Sequence, residues 1–478
     1  MTARRRSLSS LLLSLFALAC LLIAGALSAH LAIGRLCRPR PPAVRVPAAA
    51  EVERSPGLRR LGTAFVVERG RLLEVHLGGP PESIGHAHVR LLHPEMVENE
   101  GVLLDRFRAS IPSRLLQALV LDLAQLRYRD LAATLSPARQ RELAAGALAF
   151  EPDPYAAFFP AYQRFVYLNA LYDMALSFEH SPLVGCTTFV FSGAEAAHGG
   201  SLLARAFDFE VDILDEKKAV FFVRETGRIP FASVAWPGLV GVVSGMNAEG
   251  VALVVHGARA GETRARGVPV VHALRDALSR ARTSDEAVAA LAESPPLVSH
   301  VVVVTDAHGR ALVVERVPGS ADHVRELGAA GAVTNHLEGP AANDPKNVRV
   351  RTKTSTLARR ARADELVHEV ARPVDAKTAV GLLRDRRAEG GRELPLGDRR
   401  AIDALIATHG VVMDTGARVL WVSEAPHLLG RFVAFDLRRF LDPTYSPDPD
   451  GALPTVPPDP LLNELGGNAP RSAAAPSR

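Results

Sequence analysis

Cysteine is nearly absent from this chain, with three residues in 478. Cys20 and Cys37 lie in or beside an N-terminal apolar segment, so the folded body can build neither a disulfide nor a cysteine metal cluster from them. Cys186 therefore stands alone, either as a small buried hydrophobe or as a reactive thiol. Aromatic residues are also few, at 5%. The 56 lysines and arginines are scattered among 52 acidic residues, and no aromatic-rich basic motif accompanies them, which argues against a nucleic-acid partner. There is no glycine-rich phosphate loop and no His/Cys ligand cluster, so neither an organic cofactor nor a metal is expected. Internal repeats are missing as well. What is present is an ordinary globular balance, 47% hydrophobic and 23% charged residues, which excludes disorder for the body of the chain.

Arg4-Arg5-Arg6 precede an apolar run from Leu11 to Ile33, broken only by Ser14, Gly25, Ser28 and His30. Its length suits a membrane-spanning helix of ~20 residues. Small residues at Ala26 to Ala29 also offer a signal-cleavage site. Arginines flank both sides, so charge does not orient the segment. The reading favoured is an uncleaved anchor over residues 1–36 with the remainder outside the cytoplasm, and a cleaved signal is the alternative. A Pro/Arg-rich linker over 37–58 follows.

Cys186 opens Gly185-Cys186-Thr187-Thr188-Phe189-Val190, where small and hydroxyl residues lead into an apolar strand. The pattern predicts a hairpin, with Cys186 to Ser192 outward, a turn at His198-Gly199-Gly200, and Ser201 to Val211 returning. The return strand carries Arg205 and Asp208. Alternation puts these two on opposite faces, so their joint service to Cys186 calls for a bulge or strand end near Phe207. A second hairpin turns at Gly245-Met246-Asn247-Ala248-Glu249-Gly250 and runs out to His256. A short strand then ends in Thr334-Asn335-His336.

These motifs, in this order, resemble the N-terminal-nucleophile (Ntn) hydrolases with a cysteine nucleophile, specifically the penicillin-acyltransferase-like autoproteolytic acyltransferases and amidases, relatives of the choloylglycine hydrolases and acid ceramidase. The resemblance extends upstream to Leu77 through Gly85, similar to the group's pro-region opening. Downstream it includes His409 through Asp414 and Arg418 through Val422, similar to its closing hairpin.

The resemblance implies cleavage of Gly185-Cys186, after which the α-amine of Cys186 is the base for its own thiol. It gives Asp208 the amine, Arg205 the thiolate or substrate, and Asn335 a part in the oxyanion hole. Asn247 and His336 would support the site, and Arg359 is the best match to a further arginine among Arg349, Arg351, Arg360 and Arg362. Where the family usually carries a second asparagine donor, this chain has His256 followed by Gly257, which implies an imidazole donor, a backbone amide at Gly257 or an altered activity. The implied function is cleavage or transfer of acyl groups at linear amides through a thioester on Cys186, with no cofactor and an N-acyl small molecule or lipid as substrate. A lipid-ester hydrolase and a catalytically silent envelope-binding protein are the other classes this pattern allows.

The implied fold is α+β, an αββα four-layer sandwich over 186–442, preceded by a helical pro-region over 59–185 that stays bound as a short chain. Helical patterns are read at Ser113 to Leu126, Tyr162 to Phe178, Val270 to Arg282, Asp285 to Glu293, Leu357 to Val370, Ala376 to Arg386 and Arg400 to Thr408. Thr283-x-x-Glu286 forms a capping box. The Pro-rich stretch over 443–478 reads as a disordered tail.

Overall fold

The computed structural model describes residues 2–46, 51–177, 184–209 and 212–466. Two sheets make its centre. The larger has eleven strands in the order β1 (Glu53–Ser55), β2 (Leu58–Leu61), β3 (Ala64–Arg69), β4 (Leu72–Gly79), β7 (Ala219–Glu225), β8 (Phe231–Ala235), β9 (Ser244–Asn247), β10 (Ala252–Gly257), β11 (His300–Thr305), β12 (Ala311–Arg316) and β13 (His323–Glu326). The smaller has seven, β14 (Ala330–Val333), β5 (Val184–Ser192), β6 (Ser201–Phe209), β15 (Ala407–Asp414), β16 (Val419–Ser423), β17 (Phe432–Asp436) and β18 (Thr455–Val456).

Three apolar cores define four layers. One lies between the sheets, where Val190 and Leu203 of the small sheet meet Val220, Val234 and Val254 of the large one. A second lies between the large sheet and helices such as Pro81–Ser110, Pro137–Ala149 and Val270–Leu278. The third packs Phe189, Phe191 and Ala204 under the helices Thr356–Glu369 and Ala376–Leu383. This is an αββα sandwich, as expected.

The capping box forms as expected. Thr283 Oγ1 accepts from the Glu286 N–H, while the Glu286 carboxylate turns back to the Arg282 N–H. The pattern over Ser113 to Leu126 is the helix Arg114–Arg127, with Ser113 as its cap. The pattern from Tyr162 breaks at Asn169-Ala170 into the helices Ala161–Leu168 and Leu171–Leu176, and its end at Phe178 lies outside the described residues.

Four expectations need correction. The stretch from 59 is not purely helical, because β2, β3 and β4 belong to the large sheet, and β4 lies parallel to β7 from Leu73↔Ala219 to Gly79↔Glu225. Much of β3 and β4 is buried on both faces, so no polar–apolar alternation advertises them. The linker is docked, since Cys37 is buried and Val44 and Val52 pack on the helical core. Arg400 to Thr408 is not a helix. There Asp398 collects the Arg400 N–H and guanidinium, Asp403 accepts from the Leu405 N–H, and Leu405 sits at φ 53°, outside the helical region.

The last correction concerns the tail. Residues 443–466 are part of the fold, since the Tyr445 hydroxyl donates to Glu74 at 3.0 Å, Arg69 donates to the Gly451 carbonyl at 2.9 Å, and β18 pairs with β17. Proline is tolerated beside an edge strand such as β18, where few ladder donors are needed.

Candidate active site

Cys186 pairs with Phe207, Gly185 with Asp208, and Thr188 with Arg205 across the regular β5–β6 ladder. Paired residues share a face, so Cys186, Thr188 and Arg205 look towards the large sheet while Asp208 looks the other way. No bulge in β6 is needed. The irregularity near Phe207 belongs instead to β15, between Ala407 and His409. Both faces serve Cys186 because the residue offers two groups, a side chain on one face and a backbone nitrogen between them.

Arg205 is fully buried and stacks on Phe207 at 4.1 Å from its centroid. Its Nη2 donates to Cys186 Sγ at 3.3 Å and to the Val255 carbonyl at 2.6 Å, and Nη1 donates to Ser244 Oγ and the Val243 carbonyl. Burial pushes the Cys186 thiol above its ordinary range, with Arg205 opposing that shift.

Asp208 lies directly beneath Gly185. A Cβ at Gly185 would come within 2.9 Å of Asp208 Oδ2, so any larger residue here would displace the carboxyl. Burial pushes the Asp208 carboxyl up, against the pull of Arg359, and Oδ1 has no hydrogen-bond partner among the described residues.

Asn335 stands at the end of β14. Its Oδ1 accepts from the Cys186 N–H at 2.7 Å and from Arg359 Nη2 at 2.9 Å, and Nδ2 donates to the Gly257 carbonyl at 3.1 Å. The side chain thus presents its oxygen, not its amide donor, to Cys186. Arg359, on the helix Thr356–Glu369, donates to the Cys186 carbonyl and to Thr187 Oγ1 at 2.9 Å. Arg362 is buried too, but it serves Asp385.

His256 joins the cluster through a 2.8 Å bond between Nε2 and Thr188 Oγ1, and its Nδ1 is unpartnered among the described residues. Burial, then Arg205 and Arg359, hold its pKa well below the usual value, so the ring is neutral. His336 bonds the hydroxyls of Thr334 and Thr356, supporting the strand end beside Asn335. Asn247 is elsewhere in its bonding. It binds the carbonyls of Leu278 and Ala281 and the N–H groups of Glu249 and Val251, so it fixes the β9–β10 turn and is not a site residue.

Sequence reasoning missed His409 and Ser244. His409 sits opposite Phe207 on β15, stacks on it at 5.1 Å, and bonds Ser244 Oγ at 3.0 Å. Both brace Arg205. The signal available was only that His409 opens the closing hairpin, which places no side chain against Arg205.

Beside this cluster lies an apolar cavity of about 90 Å³, walled by Phe207, Trp236 and Val243 on one side and by Met96, Phe165 and Tyr172 from the region before Cys186 on the other. Among the described residues no group of histidine, cysteine and carboxylate side chains could hold a metal ion.

Residues 196–392 match the family model of acyl-coenzyme A:6-aminopenicillanic acid acyl-transferase. This segment is similar to a penicillin-acyltransferase-like domain. It contains Arg205, Asp208, His256, Asn335 and Arg359, and it begins ten residues after Cys186. The resemblance read from the motifs is thereby borne out over this segment.

No curated protein matches the chain. Similar solved structures include the Caenorhabditis elegans ortholog of N-acylethanolamine-hydrolyzing acid amidase, at 19% identity and TM-score 0.33, over 48% of this chain and 93% of that one. Penicillin V acylase from Agrobacterium tumefaciens is 18% identical with TM-score 0.36, over 53% and 87%. A variant of the conjugated bile acid hydrolase from Clostridium perfringens is 11% identical with TM-score 0.36, over 56% and 96%.

Proposed function

We propose that the chain is a self-processing cysteine amidase or acyltransferase whose nucleophile is Cys186. The observation that carries this reading is the two-sided grip on one residue. A buried arginine meets the thiol at 3.3 Å, an amide oxygen meets the backbone nitrogen at 2.7 Å, and a buried carboxylate with one oxygen unpartnered among the described residues lies beneath the preceding glycine.

Processing proceeds by attack of Cys186 Sγ on the Gly185 carbonyl carbon. The S–C bond forms, the Gly185–Cys186 C–N bond breaks, and the thiol proton ends on the released nitrogen. Water then hydrolyses the thioester, returning a proton to sulfur and leaving a carboxyl on Gly185 and a free amine on Cys186. The buried Asp208 favours this direction, because the new ammonium gives its Oδ1 a donor, which that oxygen lacks among the described residues of the intact chain.

In the processed enzyme the amine takes the thiol proton, the thiolate attacks an amide carbonyl, and the amine product leaves with that proton. Water or another amine resolves the thioester. Arg205 stabilises the thiolate. Asn335 Oδ1 keeps hold of the Cys186 nitrogen, so the oxyanion falls to a donor beyond the ones Asn335 already uses, with the neutral His256 ring nearest in kind. Substrates are N-acyl compounds whose acyl part enters the apolar cavity.

The helix Thr2–Leu36 acts as a membrane anchor in this reading. The most apolar 18 residues within its portion Ser10–Leu36 have a mean hydropathy of 2.5, and none of them is buried. His30 near its end bonds Asp122 at 2.9 Å, on the helix Arg114–Arg127. That helix turns Leu115, Leu119 and Leu123 outwards, so the exposed apolar surface continues from anchor to body, and its terminal arginines suit a headgroup layer.

Intact mass of the purified protein beside Cys186→Ala, with N-terminal sequencing, tests the proposal. Wild type is expected to yield a chain that begins at Cys186, and the variant to stay whole. Two uncut proteins would remove the self-processing reading.

A further inference from the structure

Two polar atoms on the wall of the apolar cavity have no partner among the described residues, the Tyr172 hydroxyl beside Phe207 and the amide oxygen of Asn99. Asn99, on the helix Pro81–Ser110, lines the cavity and is 5% exposed. Its Nδ2 donates to the Pro237 carbonyl at 3.4 Å, which orients the amide and leaves Oδ1 buried without a donor among the described residues. The neighbouring polar groups are occupied. Asn169 accepts from the Val240 N–H and donates to the Phe165 and Gly238 carbonyls, and Glu100 is taken up by Arg164. The surrounding wall at Met96, Leu103, Phe165 and Trp236 is apolar and offers Oδ1 no hydrogen-bonding hydroxyl or N–H except the Trp236 Nε1, which is already given to the Leu214 carbonyl.

The reacting end of the same cavity is elsewhere on its wall. Tyr172 and Phe207 face each other at 6.2 Å, and Phe207 is the cross-strand partner of Cys186. A ligand whose carbonyl meets Cys186 therefore extends an apolar chain past Phe207 towards Asn99. An isolated buried acceptor is unfavourable until a donor reaches it, and a plain hydrocarbon chain would leave it unsatisfied.

Resting on the amidase reading, we propose that Asn99 is a specificity residue that selects acyl groups bearing a hydroxyl on an otherwise apolar chain. The hydroxyl donates to Asn99 Oδ1, and the rest of the chain fills the cavity. Asn99 lies before the processing site, so the region removed from the catalytic chain by cleavage supplies the selectivity.

The test uses the full-length Cys186→Ala protein, which cannot turn over, and binding of a hexanoyl amide, a chain that matches the cavity's size, against isomers that carry one hydroxyl stepped along the chain. One isomer is expected to bind about tenfold or more tighter than the plain chain. Asn99→Leu in the same background is expected to reverse the order, with the plain chain favoured. Equal binding of plain and hydroxylated chains overturns the proposal, as does a hydroxyl preference that survives Asn99→Leu or the failure of every chain to bind. The comparison in the parent protein stands by itself if the Asn99 variant fails to fold. An Asn99-dependent preference without amide cleavage by wild type would leave this site standing and remove the amidase reading. Cleavage without the preference would do the reverse.

Discussion

Arg205 and Asp208 divide the work on Cys186 by face, and each has its own expected failure. Arg205 places one guanidinium nitrogen on the thiol and the Val255 carbonyl and the other on Ser244 and the Val243 carbonyl, a fork that a lysine ammonium cannot span. Arg205→Lys should keep the fold and slow both processing and turnover by about 10²-fold, read as the rate of precursor loss and as kcat. A rate within about twofold of wild type would show that the contact to sulfur is incidental. Asp208 acts on the amine. A carboxylate beside an ammonium favours the charged form and so raises the amine pKa above its ordinary ~8. The amine must be neutral to accept the thiol proton, so the carboxylate holds the acid limb of the rate profile at higher pH. In the processed fraction of Asp208→Asn, that limb of kcat/KM should move to lower pH by about one unit, with a lower plateau. An unmoved limb would place Asp208 away from the amine.

The helix Val270–Leu278 shows how elements before and after Cys186 complete one another. Pro269 gives it no side-chain cap, and its first N–H is taken by both oxygens of Asp173, at 3.3 and 3.1 Å, from the helix Leu171–Leu176. Burial raises the Asp173 carboxyl to about 7, well above its unfolded value of 3.8. The folded protein therefore binds the proton more tightly than the unfolded chain, and stability falls as pH rises from about 4 to about 7 before levelling. Asp173→Asn keeps an oxygen for Val270 and removes that dependence. Thermal unfolding of the uncleaved Cys186→Ala protein should show this variant more stable than its parent at pH 8, with a flatter profile below 7. A parent profile already flat across that range would refute the assignment. Such a cap, 97 residues away, has no sequence signal. The contrast marks what was readable. The Thr283-x-x-Glu286 box and the two glycine-turned hairpins are local and stand where their residues put them. Arg359 could be separated from its basic neighbours only by motif resemblance, since burial, which distinguishes it, is a tertiary property. Asn247 misled because a turn-fixing asparagine and a catalytic one look alike in a Gly-x-Asn pattern. The strands β3 and β4 were hidden by being buried on both faces.

At the scale of the whole molecule, the processing site does not coincide with a structural boundary. The region before Cys186 supplies β1 to β4 of the large sheet, and β4 runs parallel to β7 in its interior, where every backbone group lost would be buried. A buried ion cluster also crosses the divide. Arg139 and Glu142 come from one side and Glu225 and Arg275 from the other, with Arg275 held to Glu142 at 2.9 Å and to Glu225 at 3.3 Å, and Arg139 paired to both carboxylates. Removing either half would leave buried charges unpaired, which is far costlier than breaking surface pairs. Cleavage at Gly185-Cys186 should therefore leave the two chains in one body. Because the proposed anchor helix would belong to the short chain alone, membrane fractionation reads that grip directly. After processing, the chain beginning at Cys186, which has no spanning helix among its described residues, should still sediment with membranes. It should stay there through a high-salt wash, which screens exposed charges but reaches neither a sheet interior nor a buried cluster. It should come off only in denaturant, at concentrations that also unfold it. A catalytic chain found in the soluble fraction while its short partner remains in the membrane would mean that the parallel pairing of β4 with β7 does not outlast the cut.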